Sequence, residues 1–384
     1  MIYLDNAATT LIKPDGVKKA ILHAINSFGN ASRGAHKPAL DALRVLMETR
    51  IALASLFGLS DDPMRVVFTP NATVALNIAI TSIKGHIVTT AVEHNSVLRP
   101  IYRQENYTIV PCNSLGCVSI DAICSAIRPD TGAVVLAHAS NVTGNIIDIQ
   151  AIGELCAERG VHFIVDAAQS AGLLPIEMKN ISALCFTGHK SLFGPQGTGG
   201  LCLGAGFLPE PVYVGGSGHH SFDHIHPREL PDALEAGTQN AHGIAGLLAG
   251  VQYIQSTGLA SIHTKVDTLA RLFTASLADT PGVMLYGDLA APLRTPVVSL
   301  NIEGYDSGQV ASLLFEKHGI AVRAGAHCAP LIHDAFQISG SVRFSFSHFN
   351  TREETQLAID AVRTLASRAT PMTASITISQ SAKA

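Results

Sequence analysis

Ala183-Leu184-Cys185-Phe186-Thr187-Gly188-His189-Lys190 is an apolar run of strand length that ends in a hydroxyl, an imidazole and an amine. The pattern repeats on either side of it. From about residue 65 to 205, short β-rich runs alternate with helical patterns; the runs are Arg65–Thr69, His86–Thr90, Ala133–His138, His162–Asp166, Ala183–Thr187 and Gly200–Leu203. Such alternation predicts parallel α/β pairing, a mostly parallel sheet flanked by helices. Most of the runs end where chemistry-capable residues begin: Glu93-His94-Asn95, Ser140-Asn141, Asp166 with Gln169, and His189-Lys190. Open α/β sheets bind ligands outside the carboxyl ends of their strands. The sequence therefore predicts a site along one rim of the sheet.

Downstream, Ala241 to Ile262 predicts a helix of small residues. A Pro- and Gly-punctuated run to Thr295, a strand Val297–Asn301, a helix Gln309–His318 and a strand Gly340–Phe346 predict a second, smaller α/β unit. The expected division is a large domain over 16–260, a small one over 1–15 with 261–369, and a disordered Ser/Thr/Ala-rich tail over 370–384.

Composition narrows the function. Of 384 residues, 47% are hydrophobic and 15% charged, which suits a large buried core. The net charge of −4, with no Lys/Arg-rich run, gives a nucleic acid or an anionic membrane nothing to hold. No signal peptide and no span-length apolar run are read. Seven cysteines without a repeating spacing argue against a disulfide framework and for the cytoplasm.

Lys190 follows an apolar strand and precedes the glycine-marked Ser191-Leu192-Phe193-Gly194-Pro195. A buried lysine with a lowered pKa is a good nucleophile towards an aldehyde. Asp166 lies 24 residues upstream, about one strand–helix–strand step, at the end of Phe163-Ile164-Val165. A carboxylate there can hold a pyridinium nitrogen protonated, which keeps the ring an electron sink. Thr69-Pro70-Asn71-Ala72-Thr73 leads into a helical pattern, and a helix start with a threonine hydroxyl can seat a phosphate.

With these residues in place, the chain resembles the cysteine desulfurases and selenocysteine lyases of the class V aminotransferase group, which are fold-type I pyridoxal 5'-phosphate enzymes. The resemblance runs from Ile2 to about Asn350. Its segments are Tyr3–Thr10, Glu93–Ser96, His138–Gly144, Val165–Gln169, Gly188–Lys190, Glu235–Asn240 and Arg323–Ala329. It implies that Lys190 bonds covalently to the cofactor aldehyde, Asp166 pairs with the pyridine nitrogen and Gln169 meets the ring hydroxyl. It implies that His94 stacks on the ring and moves protons, and that Ala72, Thr73, Thr187 and His189 hold the phosphate. Thr238 would reach the phosphate of a neighbouring subunit, so a homodimer with shared sites is expected. Asn141, Arg323 and Arg343 would hold the substrate amino acid, with Arg343 on its carboxylate.

Seven cysteines compete for one catalytic role. Cys112, Cys117, Cys124, Cys156, Cys185 and Cys202 lie in or beside apolar runs, as small buried hydrophobes do. Cys328 instead follows Arg323 and His327 in a turn closed by Ala329-Pro330, where a cation or imidazole favours the nucleophilic thiolate. It also matches the family's catalytic cysteine. Ala326 stands where several relatives carry another histidine, which predicts different proton handling at the thiol. The segment between Cys328 and Arg343 is short and should move little. The resemblance implies that L-cysteine becomes L-alanine, that its sulfur stays on Cys328 as a persulfide, and that a separate protein collects it.

Selenocysteine lyase or a broader cysteine/cystine β-lyase is the alternative enzyme reading. Metal binding at the histidine-rich Gly215–His226 stretch, or with His327, Cys328 and His333, is the reading from another class, and an inactive scaffold is a third. Paired zinc-ligand spacing is absent, so no metal is expected. The sulfur's destination stays open among iron–sulfur clusters, thiolated tRNA, molybdenum cofactor and selenium delivery.

Overall fold

A computed structural model of the chain describes residues 1–31, 34–59, 61–218 and 222–368. The tail expected over 370–384 lies outside the described residues. A short strand β1 (Ile2–Tyr3) and helices α1 (Asp15–Ser27) and α2 (Lys37–Leu56) come first. The large sheet follows: β2 (Val66–Thr69), β3 (His86–Thr90), β4 (Tyr107–Val110), β5 (Thr131–Ala137), β6 (His162–Asp166), β7 (Ala183–Thr187) and β8 (Gly199–Leu203). Helices α3 (Ala72–Thr81), α4 (Asn95–Tyr102), α5 (Ile120–Ala126) and α6 (Ile149–Arg159) connect its strands.

The order across this sheet is β2-β8-β7-β6-β5-β3-β4. The pairs from β7 through β6, β5 and β3 to β4 are parallel, but β8 runs antiparallel to both β7 and β2. The sheet is therefore mostly parallel, with β8 as its reversed strand. Only the eleven residues from Gly188 to Thr198 link β7 to β8, too few for a crossover with its helix, so the chain turns back. The exposed edge strand β4 was missed, because Tyr107 is exposed and the run is only four residues long.

Helices cover both faces, so the strands read as continuous apolar runs. Val134, Leu136, Phe163 and Val165 point into one core, while Ala133, Val135 and Ile164 point into the other. The small-residue helix is α7 (Ala241–Thr257), and it ends at Gly258, whose φ of +88° breaks the helix before α8 (Leu259–Leu277). The single helix expected over Ala241 to Ile262 is thus two, and α8 continues to Leu277 through the start of the run expected to be Pro- and Gly-punctuated. Small residues in α7 serve close approach: a Cβ on Gly250 would sit 2.2 Å from the Leu192 carbonyl, just past Lys190.

The chain then builds β9 (Val283–Tyr286), β10 (Val297–Ile302), α9 (Ser307–His318), β11 (Ile320–Ala321), β12 (Arg323–Gly325), α10 (Pro330–Ala335), β13 (Ser341–Ser345) and α11 (Arg352–Arg368). Strands β12-β13-β10-β9 form an antiparallel sheet, and β1 pairs with β11. A third core joins Leu4, Phe273, Leu300, Phe344 and Leu365 from these elements. The N-terminal strand thus closes against the C-terminal part of the chain.

Candidate active site

The parallel strands deliver their polar ends to one rim. Asp166 ends β6, Thr187 ends β7, and Lys190 sits three residues on. Across from them, β12 and β13 bring Arg323 and Arg343, and the turn before α10 brings Cys328. A cavity of about 330 Å³ between them is lined by Ala72, Thr73, His94, Asn141, Asp166, Gln169, Thr187, His189, Lys190, Arg323, Cys328 and Arg343. Of the site residues expected from sequence, only Thr238 lies elsewhere, in neighbouring cavities with Glu235, Gln239, Asn240, Leu43 and Met47.

Burial lowers the Lys190 amine to about 8, against the opposing attraction of Asp166. Burial raises the Asp166 carboxyl, while the Ala168 N–H, which donates to Oδ1 at 2.9 Å, and Lys190 pull it back. Beneath them, Glu93 is fully buried and pushed up to about 8 by burial. Its oxygens accept from the Thr90 hydroxyl at 2.6 Å and from the Ala137 N–H at 2.8 Å. It therefore ties the end of β3 to the end of β5 below the rim.

His94 caps α4. The Ser96 N–H donates to its Nδ1 at 3.0 Å, so the neutral ring carries its proton on Nε2. Burial first, then Lys190, drives its pKa down to about 4, so it stays neutral. The Ser96 hydroxyl links His94 Nδ1 (2.9 Å) to the Thr73 hydroxyl (2.8 Å). Sequence reasoning left Ser96 without a role; its place one residue inside a helix capped by His94 was the available signal. It likewise passed over Asn71, whose side chain caps α3 by accepting from the Val74 N–H at 3.0 Å.

Two polar atoms near this wall are buried without partners: Thr187 Oγ1 and His189 Nδ1. Together with the free N–H groups at the start of α3, they leave a set of unused donors. A phosphate supplies the acceptors such a set needs. Asp166 has a second oxygen to offer a pyridinium, so these residues fit pyridoxal phosphate. The side chain of Gln169 is held by donation to the Ala7 carbonyl at 3.2 Å.

Cys328 is the only exposed cysteine; Cys156, Cys185 and Cys202 are buried, whereas Cys112, Cys117 and Cys124 are half-buried rather than core residues. Cys328 sits in a tight turn: the Ala329 N–H donates to the Ala326 carbonyl at 2.9 Å, with φ of +51° at His327 and +55° at Cys328. Two successive left-handed non-glycine residues cost about 1–2 kcal/mol each. Both of their carbonyls are pinned: the Asn141 amide donates to the His327 carbonyl at 2.8 Å, and the Asn95 N–H to the Cys328 carbonyl at 2.6 Å. Asn141 thus supports the turn through Nδ2 as well as facing the cavity.

His327 does not lend Cys328 a positive charge, contrary to the sequence expectation. Its Nε2 donates to the Ser341 carbonyl at 3.0 Å, and burial, then Arg343, lowers it to about 3. The cations on the Cys328 side of the cavity are the two arginines, Arg323 and Arg343. His333 was expected only as a metal-ligand candidate; it is buried, with Nδ1 donating to the Ala329 carbonyl (2.9 Å) and Nε2 facing the Ser341 hydroxyl (3.2 Å). Among the described residues, no group of three His, Cys, Asp or Glu is placed to hold a metal. His219 and His220 of the histidine-rich stretch lie outside the described residues. No helix of the described residues is long and apolar enough to cross a membrane.

Comparison with known proteins agrees with this geometry. A protein of Methanothermobacter thermautotrophicus named "probable cysteine desulfurase" is 32% identical, over 95% of this chain and 94% of its own. One of the same name from Pyrococcus abyssi is 31% identical, over the same shares. The apo cysteine desulfurase of Thermococcus onnurineus superposes with a TM-score of 0.89 at 31% identity, covering 95% of this chain and 94% of that one. The profile of the family described as aminotransferase class-V matches residues 2–357, and the chain belongs to that family, within its cysteine desulfurase group.

Proposed function

We propose that the protein is a pyridoxal-phosphate-dependent cysteine desulfurase that converts L-cysteine to L-alanine and keeps the sulfur on Cys328 as a persulfide for an acceptor protein. One observation carries the reading: Lys190, behind the carboxyl ends of the large sheet, and Cys328, before α10, line the same cavity as Arg343. When bound, pyridoxal phosphate supplies an electron sink for negative charge at the substrate Cα. Lys190, Asp166 and Gln169 would hold it by its aldehyde carbon, ring nitrogen and ring hydroxyl. Ala72, Thr73, Thr187 and His189 would hold its phosphate, and His94 would lie on the ring.

Arg343 receives the substrate carboxylate, since its buried Nε has no partner and a guanidinium suits a carboxylate. Lys190 Nζ takes the Cα proton, which its lowered pKa permits near neutral pH. His94 holds one proton on Nε2, available to the reacting groups. Cys328 Sγ then attacks the substrate sulfur. A sulfur–sulfur bond forms as the Cβ–S bond breaks, the electron pair goes to carbon, and protonation gives alanine.

Thr238 supports a homodimer. It shares a cavity with Leu43 and Met47 of α2, and α1 and α2 leave Leu22 (63% exposed), Ile25, Leu40, Leu43 and Ile51 uncovered. A second copy laid there would take Thr238 towards its own phosphate seat. Seven unpaired cysteines support a cytoplasmic setting. Purified protein loaded with pyridoxal phosphate should release alanine from L-cysteine, and the peptide holding Cys328 should gain the mass of one sulfur atom. No alanine, or equal alanine from Cys328→Ala, would overturn the proposal.

A further inference from the structure

Asp5 has no assigned task in the chemistry above, yet it sits between the two guanidiniums of the cavity wall and is only 9% exposed. Arg323 Nε donates to its two oxygens at 3.2 and 3.1 Å, and Arg323 Nη2 lies 3.0 Å from Oδ2. Arg343 Nη2 donates to Oδ1 at 3.1 Å, and Arg343 Nη1 donates to the Asn141 carbonyl at 3.1 Å. The backbone on either side of Asp5 is fixed to the strand that carries Arg343: the Ser345 N–H donates to the Leu4 carbonyl at 2.7 Å, and the Ala7 N–H donates to the Ser345 hydroxyl at 2.9 Å. Carboxylate and guanidiniums therefore share one rigid frame. Two positive charges and one negative charge leave a surplus of one.

We propose that Asp5 is a specificity-determining counter-ion of the carboxylate seat: it cancels one arginine charge, so the seat accepts an amino acid with one carboxylate and an uncharged side chain and disfavours one whose side chain carries a second negative charge. The proposal rests on reading Arg343 as the substrate-carboxylate residue. One carboxylate meets the one surplus charge. A second anion finds no unpaired cation and must be desolvated without return. Asp5 is a positioning residue that acts through the arginines and need not touch the substrate.

Cys328 lines the same cavity and reports the local charge without turnover. In the full-length holoenzyme, alkylation at the Cys328 peptide is followed by mass spectrometry with iodoacetate, an anion, and iodoacetamide, which is neutral. Asp5→Asn should raise the iodoacetate-to-iodoacetamide rate ratio about fivefold at low salt, and Asp5→Glu should hold it within about twofold. Arg323→Gln, at a half-exposed side chain, should lower the ratio, and it carries the test if Asp5→Asn does not fold. In competition, alanine release by Asp5→Asn should shift towards cysteine sulfinate over cysteine by a similar factor. An unchanged alkylation ratio, or an equal loss on both substrates, overturns the proposal. A wild-type enzyme that makes no alanine sinks the desulfurase reading instead, and the alkylation ratio then decides the charge count alone.

Discussion

The two walls of the cavity are built on different physical terms. The cofactor wall stands on strand ends of a sheet buried on both faces, and its key groups are tuned by loss of water: Lys190 goes down to about 8, and Asp166 goes up. The sulfur wall is a strained turn with an exposed cysteine, held by hydrogen bonds to two carbonyls. Desolvation favours the free amine of Lys190 where the proposed cofactor would be caught. Pinning places an exposed thiol that the proposed acceptor protein could reach. If that contrast is right, the two walls should fail separately.

Lys190→Ala is expected to have the largest effect, because it removes both the attachment point and the proton acceptor. Alanine production should fall by about four orders of magnitude, with the visible absorbance of the bound cofactor changed. Cys328→Ser should lower cysteine turnover at least about a hundredfold while leaving that absorbance intact. If Cys328→Ser disturbs cofactor capture as much as Lys190→Ala does, the walls are not separable and the comparison breaks. Retained activity of Cys328→Ser on selenocysteine would point to the lyase reading.

The pH dependence sharpens the contrast further. With Lys190 at about 8 instead of the ordinary 10.5, about a tenth of it is free amine at pH 7. The fraction grows as pH rises, so capture of pyridoxal phosphate by the apo-protein should speed up about tenfold per unit below pH 7 and about fivefold from pH 7 to 8, and then level off. Stopped-flow absorbance measures this directly. A rate that keeps climbing beyond pH 9 would mean that the amine is not desolvated.

The cofactor wall was legible in the sequence because its signal is local. An apolar run ending in Asp166, or in Thr187 before His189 and Lys190, is one strand and its rim. The reversed β8 was not legible, since Gly199–Leu203 is as apolar as its parallel neighbours and only the short link from β7 betrays its direction. On the sulfur wall, Cys328 was found by its neighbours and by resemblance, but the turn's support was invisible. Its partners Asn95, Asn141 and Ser341 are remote in sequence, and nothing in His327-Cys328 announces two left-handed residues. For the same reason His327 was taken to favour the thiolate, when its ring faces Ser341.

His333 offers the finest test of the difference. Its Nδ1–H is the side-chain donor on the carbonyl of Ala329, the residue after Cys328, and its Nε2 faces the same Ser341 hydroxyl that lies 3.2 Å from His327. His333→Ala would leave a carbonyl and a hydroxyl short of partners, at a cost of about 1–3 kcal/mol concentrated in the turn. Hydrogen exchange at the Asn95 and Ala329 amides, both bonded within the turn, should accelerate. The kcat for cysteine should fall about tenfold with KM nearly constant, and cofactor capture should be unchanged. Asn at 333 places an amide donor near the position of Nδ1, so His333→Asn should recover most of the loss, whereas His333→Gln should not. If His333→Ala turns over cysteine as the wild type does, the bonds from Asn95 and Asn141 hold the turn by themselves, and the sulfur wall is simpler than its buried histidines suggest.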